Sequence, residues 1–150
     1  MKTFPNCLTS DSQFHSNPPN ALKNACKATA GMLGSSGVDA TLAGSTLCSI
    51  LLQDNNMYVC NVGDSRSMVA MDDRDHSSGL KATYLTKDHV AANPTEKKRI
   101  LEHGGRIVGK RIYCGDTNLP GLIPSRSIGD FGGRPAGIIS EACLQITPPC

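Results

Sequence analysis

Apolar positions along this chain fall into short runs broken by polar turns, with two stretches of helical spacing between them. The densest run is Gly44 to Ala70, GSTLCSILLQDNNMYVCNVGDSRSMVA. From Thr46 to Leu52 the residues are apolar on nearly both faces, the pattern of a buried strand. Gln53-Asp54-Asn55-Asn56 is a polar break of turn-forming chemistry. Met57 to Val62 resumes the strand pattern, and Gly63-Asp64 ends it. The spacing predicts a hairpin over 46–62, a tight turn, and a third strand near 67–71. An Asp directly after a Gly at a strand end projects its carboxylate from a tight turn, a position suited to a metal ligand or to charge pairing.

Upstream, residues 1–19 are polar and contain proline, and read as a loosely ordered lead-in. Asn20 to Leu33 is a predicted helix: Leu22, Ala25, Cys26, Thr29, Met32 and Leu33 form one stripe at i, i+3, i+4 spacing. Asn20 is placed to cap its start and Gly34 to stop it. Gly31, Gly34 and Gly37 belong to that helix end and the loop after it, not to a nucleotide-binding loop. Downstream, Met71 to Gly79 (MDDRDHSSG) reads as a solvated turn. Asp72, Asp73, Asp75 and His76 superficially resemble a metal cluster, but no apolar residue there would hold them rigid. Leu80 to Leu85 is a short strand, and Asp88-His89 a hydrogen-bonded turn.

Asn93-Pro94-Thr95-Glu96 reads as a helix start: Asn93 caps, Pro94 fits the first position, and Glu96 stands three residues after the cap. Lys98 and Glu102 are placed to pair one turn apart, and Gly104-Gly105 ends the helix near residue 103. Strands are expected near 106–113 and 138–141. Gly104 to Lys110 spells G-x-x-x-x-G-K, but Arg111 stands where a phosphate loop needs Ser or Thr, and the glycines follow a helix instead of a strand.

Composition narrows the class. A chain of 150 residues is one domain by length and can bury roughly 68–70% of its unfolded surface. Fifteen Gly and nine Pro favour strands and turns over a helical bundle. The net charge of +2 comes from scattered basic residues, so neither a nucleic acid nor a membrane is an expected partner. Seven cysteines include no Cys-x-x-Cys pair, and Cys48 and Cys60, inside predicted strands, read as small buried hydrophobes. No signal-peptide pattern follows Met1 and no window reaches transmembrane length. An intracellular location, cytoplasmic or nuclear, is expected.

Five stretches carry a family resemblance. Gly44-Ser45-Thr46 followed by Tyr58-Val59-Cys60-Asn61-Val62-Gly63-Asp64-Ser65-Arg66 resembles the centre of the metal-dependent protein phosphatases of type 2C, the PPM family of Ser/Thr phosphatases. Leu85-Thr86-Lys87-Asp88-His89 and the set Glu96, Arg99, Ile100, Gly104 and Gly105 match in order. So does Gly121 to Asp130, with Ile123-Pro124 departing from the family's Ala-x. Ile138-Ile139-Ser140-Glu141 is similar to the family's next strand. Asp130 reads as a structural acid pairing Arg126.

The resemblance runs from about Ala21 to Glu141 and implies an α+β fold, an antiparallel β-sandwich with flanking helices in α-β-β-α layers, present here as an incomplete domain over 20–150. It also implies a chemistry. Two Mg²⁺ or Mn²⁺ ions about 3.5–4 Å apart activate a water that attacks phosphorus in line, on phosphoprotein substrates. The family takes the ion ligands from an Asp-Gly-His near its N-terminus and from C-terminal Asp motifs. No Asp-Gly dipeptide occurs in these 150 residues; Met1 would lie downstream of the first motif and Cys150 upstream of the others. Only Asp64 corresponds to a metal residue, at a peripheral third-metal position. The binuclear site is therefore expected to be incomplete, and the chain alone inactive. The alternative is a pseudophosphatase acting as a binding or regulatory module.

Overall fold

A computed structural model of the chain describes residues 3–72 and 78–147. Asp73, Asp75 and His76 of the acidic turn lie outside the described residues.

Helices α1 (Phe4–Thr9) and α2 (Pro18–Gly34) precede strands β1 (Gly44–Ser45), β2 (Leu47–Gln53), β3 (Asn56–Val62), β4 (Met68–Asp72) and β5 (Leu80–Tyr84). Helix α3 (Pro94–Glu102) leads to β6 (Gly105–Val108), β7 (Arg111–Cys114), β8 (Pro120–Leu122) and β9 (Ile128–Gly129). A 3-10 helix (Phe131–Ala136) and β10 (Cys143–Thr147) follow. Strands pair as β10-β3-β2, β6-β7-β8, β4-β5 and β1-β9, each pair antiparallel. Helices beside antiparallel sheets are the expected α+β architecture.

The predicted hairpin is β2-β3, closed by a two-residue loop. Asp54 and Asn55 both have positive φ, 49° and 58°, the backbone hand that matches strand twist, and Gln53 and Asn56 pair across the loop. β3 is the central strand and is buried on both faces. Tyr58, Cys60 and Val62 pack towards α2 with Ala21, Leu22, Ala25 and Cys26. Met57 and Val59 pack the other way, onto Leu85 and Val69. On edge strand β2, Leu47 and Leu51 join the α2 core, whereas Ile50 and Leu52 are 46% and 70% exposed. Full burial of Leu22 alone contributes about 1.5–3 kcal/mol. A third cluster, Ile100, Ile112, Ala136 and Ile138, seats α3 on β6-β7.

Several expectations need correction. The lead-in is ordered: α1 buries Leu8, and Phe4, Cys7 and Phe14 pack on the α2 core. Apolar residues at 4, 7 and 8 share one face of a single turn, too short a pattern to stand out from its polar surroundings. The cap of α2 is Asn17, whose side chain accepts from the Asn20 N–H at 3.2 Å, because Pro18-Pro19 fit the first helical positions and start the helix two residues early. The strand expected at 138–141 reduces to a single bridge between Ile139 and Arg126; the strand that pairs with β3 is β10, over 143–147. Gly104, at φ +76°, ends α3 as expected.

Candidate functional site

Four of the family-like stretches, 44–66, 85–89, 96–105 and 121–130, meet near the end of β3. Gly63 has φ +103°, and a Cβ there would stand 2.4 Å from Thr46 Cγ2, so the turn needs glycine both for its backbone angle and for the close approach of Thr46. His89 holds the turn from behind. The Gly63 N–H donates to His89 Nδ1 and the His89 N–H donates to the Gly63 carbonyl, each at 3.1 Å. Asn61 Nδ2 donates to the same carbonyl at 3.1 Å. As an acceptor at Nδ1, the neutral imidazole keeps its proton on Nε2. His89 is 2% exposed, and burial lowers its pKa, with the nearby Arg126 charge adding to the effect.

The chain of bonds continues into the centre of the molecule. The Ser125 N–H donates to the His89 carbonyl at 2.8 Å, and Ser125 Oγ donates to Glu96 Oε2 at 2.6 Å. Glu96 is 1% exposed. It also accepts from Arg99 Nη2 at 2.6 Å and from Arg126 through Nε and Nη2. Arg99 itself reaches the carbonyls of Gly137 and Ser125 at 2.9 and 3.0 Å. Burial alone would raise the Glu96 carboxyl, but hydrogen bonds from Arg126, Arg99 and Ser125 outweigh it and hold the group at about 2. A cavity of about 450 Å³ opens beside this network, bordered by Asn61, Thr86, His89, Glu96, Arg126 and Gln145.

Sequence reasoning missed Glu96. Its place three residues after Asn93 suggested a capping box, and Asn93 does accept from the Thr95 N–H at 3.0 Å. The Glu96 side chain, however, turns inward to three donors. The one local signal was Arg99, three residues on and therefore on the same helix face; Ser125 and Arg126 lie 29 and 30 residues away. The expected Asp130–Arg126 pair does not form, because Arg126 is taken by Glu96 and by the Glu141 carbonyl at 2.9 Å. Asp130 instead sits at φ 48°, packed so closely on Gly44 that a Cβ there would fall 2.1 Å from its Oδ2. Its N–H donates to the Ala43 carbonyl at 2.9 Å.

Asp64 follows Gly63, half-buried. Its neighbours are structural: Ser65 Oγ meets Thr46 Oγ1 at 2.6 Å, and Arg66 grips Asp88 through Nε and Nη2 at 2.7 and 2.6 Å. That bidentate contact lowers the Asp88 pKa against the opposing effect of partial burial. A pair of hard cations needs several carboxylate and carbonyl oxygens. Among the described residues no three His, Cys, Asp or Glu side chains gather in metal-holding positions. Among the described residues the acidic side chains do not gather into a binuclear donor set. Asp88 is committed to Arg66, Asp130 is packed on Gly44, and Asp116 is exposed in the β7-β8 turn.

The family model for Protein phosphatase 2C matches residues 1–148, and the chain belongs to that family. It is 36% identical over 110 residues to "Probable protein phosphatase 2C 73" of Arabidopsis thaliana, covering 69% of this chain and 29% of that protein. It is 35% identical over 126 residues to "Probable protein phosphatase 2C 48" of Oryza sativa subsp. japonica, covering 77% and 36%. The chain thus spans about a third of the length of these curated relatives. Among solved structures, the serine-threonine phosphatase 2C from Toxoplasma gondii superposes with a TM-score of 0.78 at 22% identity, over 95% of this chain and 49% of that one. A C. elegans sex determining protein superposes at 0.67 and 20% identity, over 97% and 34%. At these identities the structures share the fold. Among the described residues no helix is long and apolar enough to cross a membrane.

Proposed function

We propose that these residues are the central scaffold of a metal-dependent phosphatase domain acting on phosphoserine and phosphothreonine in intracellular phosphoproteins, and that this chain alone has no appreciable activity. One observation carries the reading: the residues of the family-like stretches are spent on one another. Glu96, Arg99, Ser125 and Arg126 bond to one another, and His89 is tied to Gly63 through Nδ1, so the network is spent on holding the fold. What the network offers to chemistry is position. It fixes the turn that carries Asp64, which on this reading sits in the outer shell of a peripheral Mg²⁺ or Mn²⁺ whose neighbours come from elsewhere in the domain.

The test is hydrolysis of p-nitrophenyl phosphate by the purified chain with Mn²⁺, beside an Asp64→Ala control. Turnover equal to the control is the expected result. Clear Mn²⁺-dependent turnover that disappears in the control would overturn the proposal and require other carboxylates to complete a metal site.

A further inference from the structure

The core contains a thiol pair that the phosphatase reading does not use. Cys26, on the buried face of α2, and Cys60, in the middle of β3, bring their Sγ atoms to 3.5 Å. They are 1% and 0% exposed and lie 34 positions apart in the chain, so the packing of helix on sheet brings them together. Both thiols are free, as are those of the other described cysteines. A disulfide needs about 2.05 Å between sulfurs, so the two must approach by about 1.5 Å to bond.

We propose that Cys26 and Cys60 form an oxidant-responsive cross-linking site, converted by a hydroperoxide to a disulfide that staples α2 to β3. The two sulfurs share one hydrogen bond in which either can be the donor, so a thiolate formed on one is stabilised by the S–H of the other. Whichever of the two is deprotonated is the attacking thiolate. Its sulfur bonds to one peroxide oxygen, the O–O bond breaks, and the departing oxide takes a proton and leaves as water or alcohol, giving a sulfenic acid. The second sulfur of the pair then attacks the sulfenic sulfur, the S–O bond breaks, and the hydroxide leaves as water with that thiol's proton. The two thiols lose two electrons and the peroxide gains two. Because both sulfurs are buried, the reaction follows local opening of α2 from the sheet and is slower than oxidation of the exposed Cys143.

The experiment exposes the native chain to hydrogen peroxide, alkylates the remaining thiols and maps tryptic peptides by mass spectrometry. Trypsin places Cys26 in peptide 24–27 and Cys60 in peptide 28–66, which also contains Cys48, so a Cys48→Ser variant is run in parallel. The expected result is a linked 24–27/28–66 species, lighter by two hydrogen atoms than its parts, present in both proteins and removed by dithiothreitol. It is absent in Cys60→Ala. No linked peptide after Cys143 is fully oxidised, or a link that vanishes in Cys48→Ser, overturns the assignment. Both readouts are independent of phosphatase activity.

Discussion

Replacing Glu96 by Gln tests the network at its centre. The substitution keeps the shape but removes the charge and sets an amide donor against guanidinium donors. Arg99 and Arg126, with side chains 17% and 11% exposed, are then left uncompensated, a change that costs about 3–5 kcal/mol at comparable buried sites. The pKa gives a second route to the magnitude. A fall from 4.5 to about 2 corresponds to about 3 kcal/mol of folding stability at about 1.4 kcal/mol per pH unit. The two routes agree, and either figure is a large share of the about 5–15 kcal/mol that holds a typical domain folded. The folded-state pKa lies below the unfolded one, so this contribution is fully present above about pH 4.5 and is lost as the pH falls towards 2. Urea unfolding followed by far-UV circular dichroism is the assay, since the chain has no Trp. Glu96→Gln should lower stability at pH 7 by about 3 kcal/mol or more and flatten the decline between pH 5 and 2. A variant within about 0.5 kcal/mol of wild type, or two proteins with the same acid slope, would refute the reasoning.

Other perturbations read different parts of the structure. Gly63→Ala forces a Cβ onto Thr46 in a positive-φ backbone and should cost about 2 kcal/mol or more in the same urea titration; a neutral result would mean the turn is loosely held. Leu8→Ala should cost about 2–5 kcal/mol if α1 docks as described, whereas a value near zero would return the lead-in to a loose tail. His89 is buried with a lowered pKa, so its contribution is present above its unfolded pKa and is lost as the pH falls through the folded one. Its ring resonances should titrate below the ordinary histidine range in NMR spectra, and titration at or above about 6.5 would show that the imidazole is not held as an acceptor.

Local chemistry was legible where the cause was local. The Asp54-Asn55 loop, the Asn93-Pro94 helix start and the Gly104 stop each follow from turn or cap preferences acting over a few residues. The apolar runs at 47–52 and 57–62 likewise disclosed the central hairpin, but only β3 is buried on both faces; the run at 47–52 reads as a buried strand and is an edge strand with Ile50 and Leu52 exposed. What the chain concealed was pairing at a distance. Arg126 had two acidic candidates, Asp130 four residues on and Glu96 thirty residues back, and proximity in sequence favoured the wrong one. The final strand was misplaced for a related reason: Ile138 and Ile139 look more strand-like than Cys143 to Thr147, yet Ile138 fills the core under α3 and its backbone makes no ladder. Asp64 was legible as a carboxylate on a tight turn, but what holds that turn was not, since His89 acts from the next layer of the fold.

The bonds linking Gly63, His89 and Ser125 bear on how the molecule breathes. Three amide protons spread over some sixty residues depend on one another, because each N–H is satisfied by its neighbour in the series. Such a chain has no intermediate state in which one link opens cheaply, so the three should exchange with solvent deuterium together and at the slow limit set by global unfolding. The turn bearing Asp64 therefore draws its rigidity from segments distant in the chain, and a substitution at Ser125 should quicken deuterium uptake at Gly63.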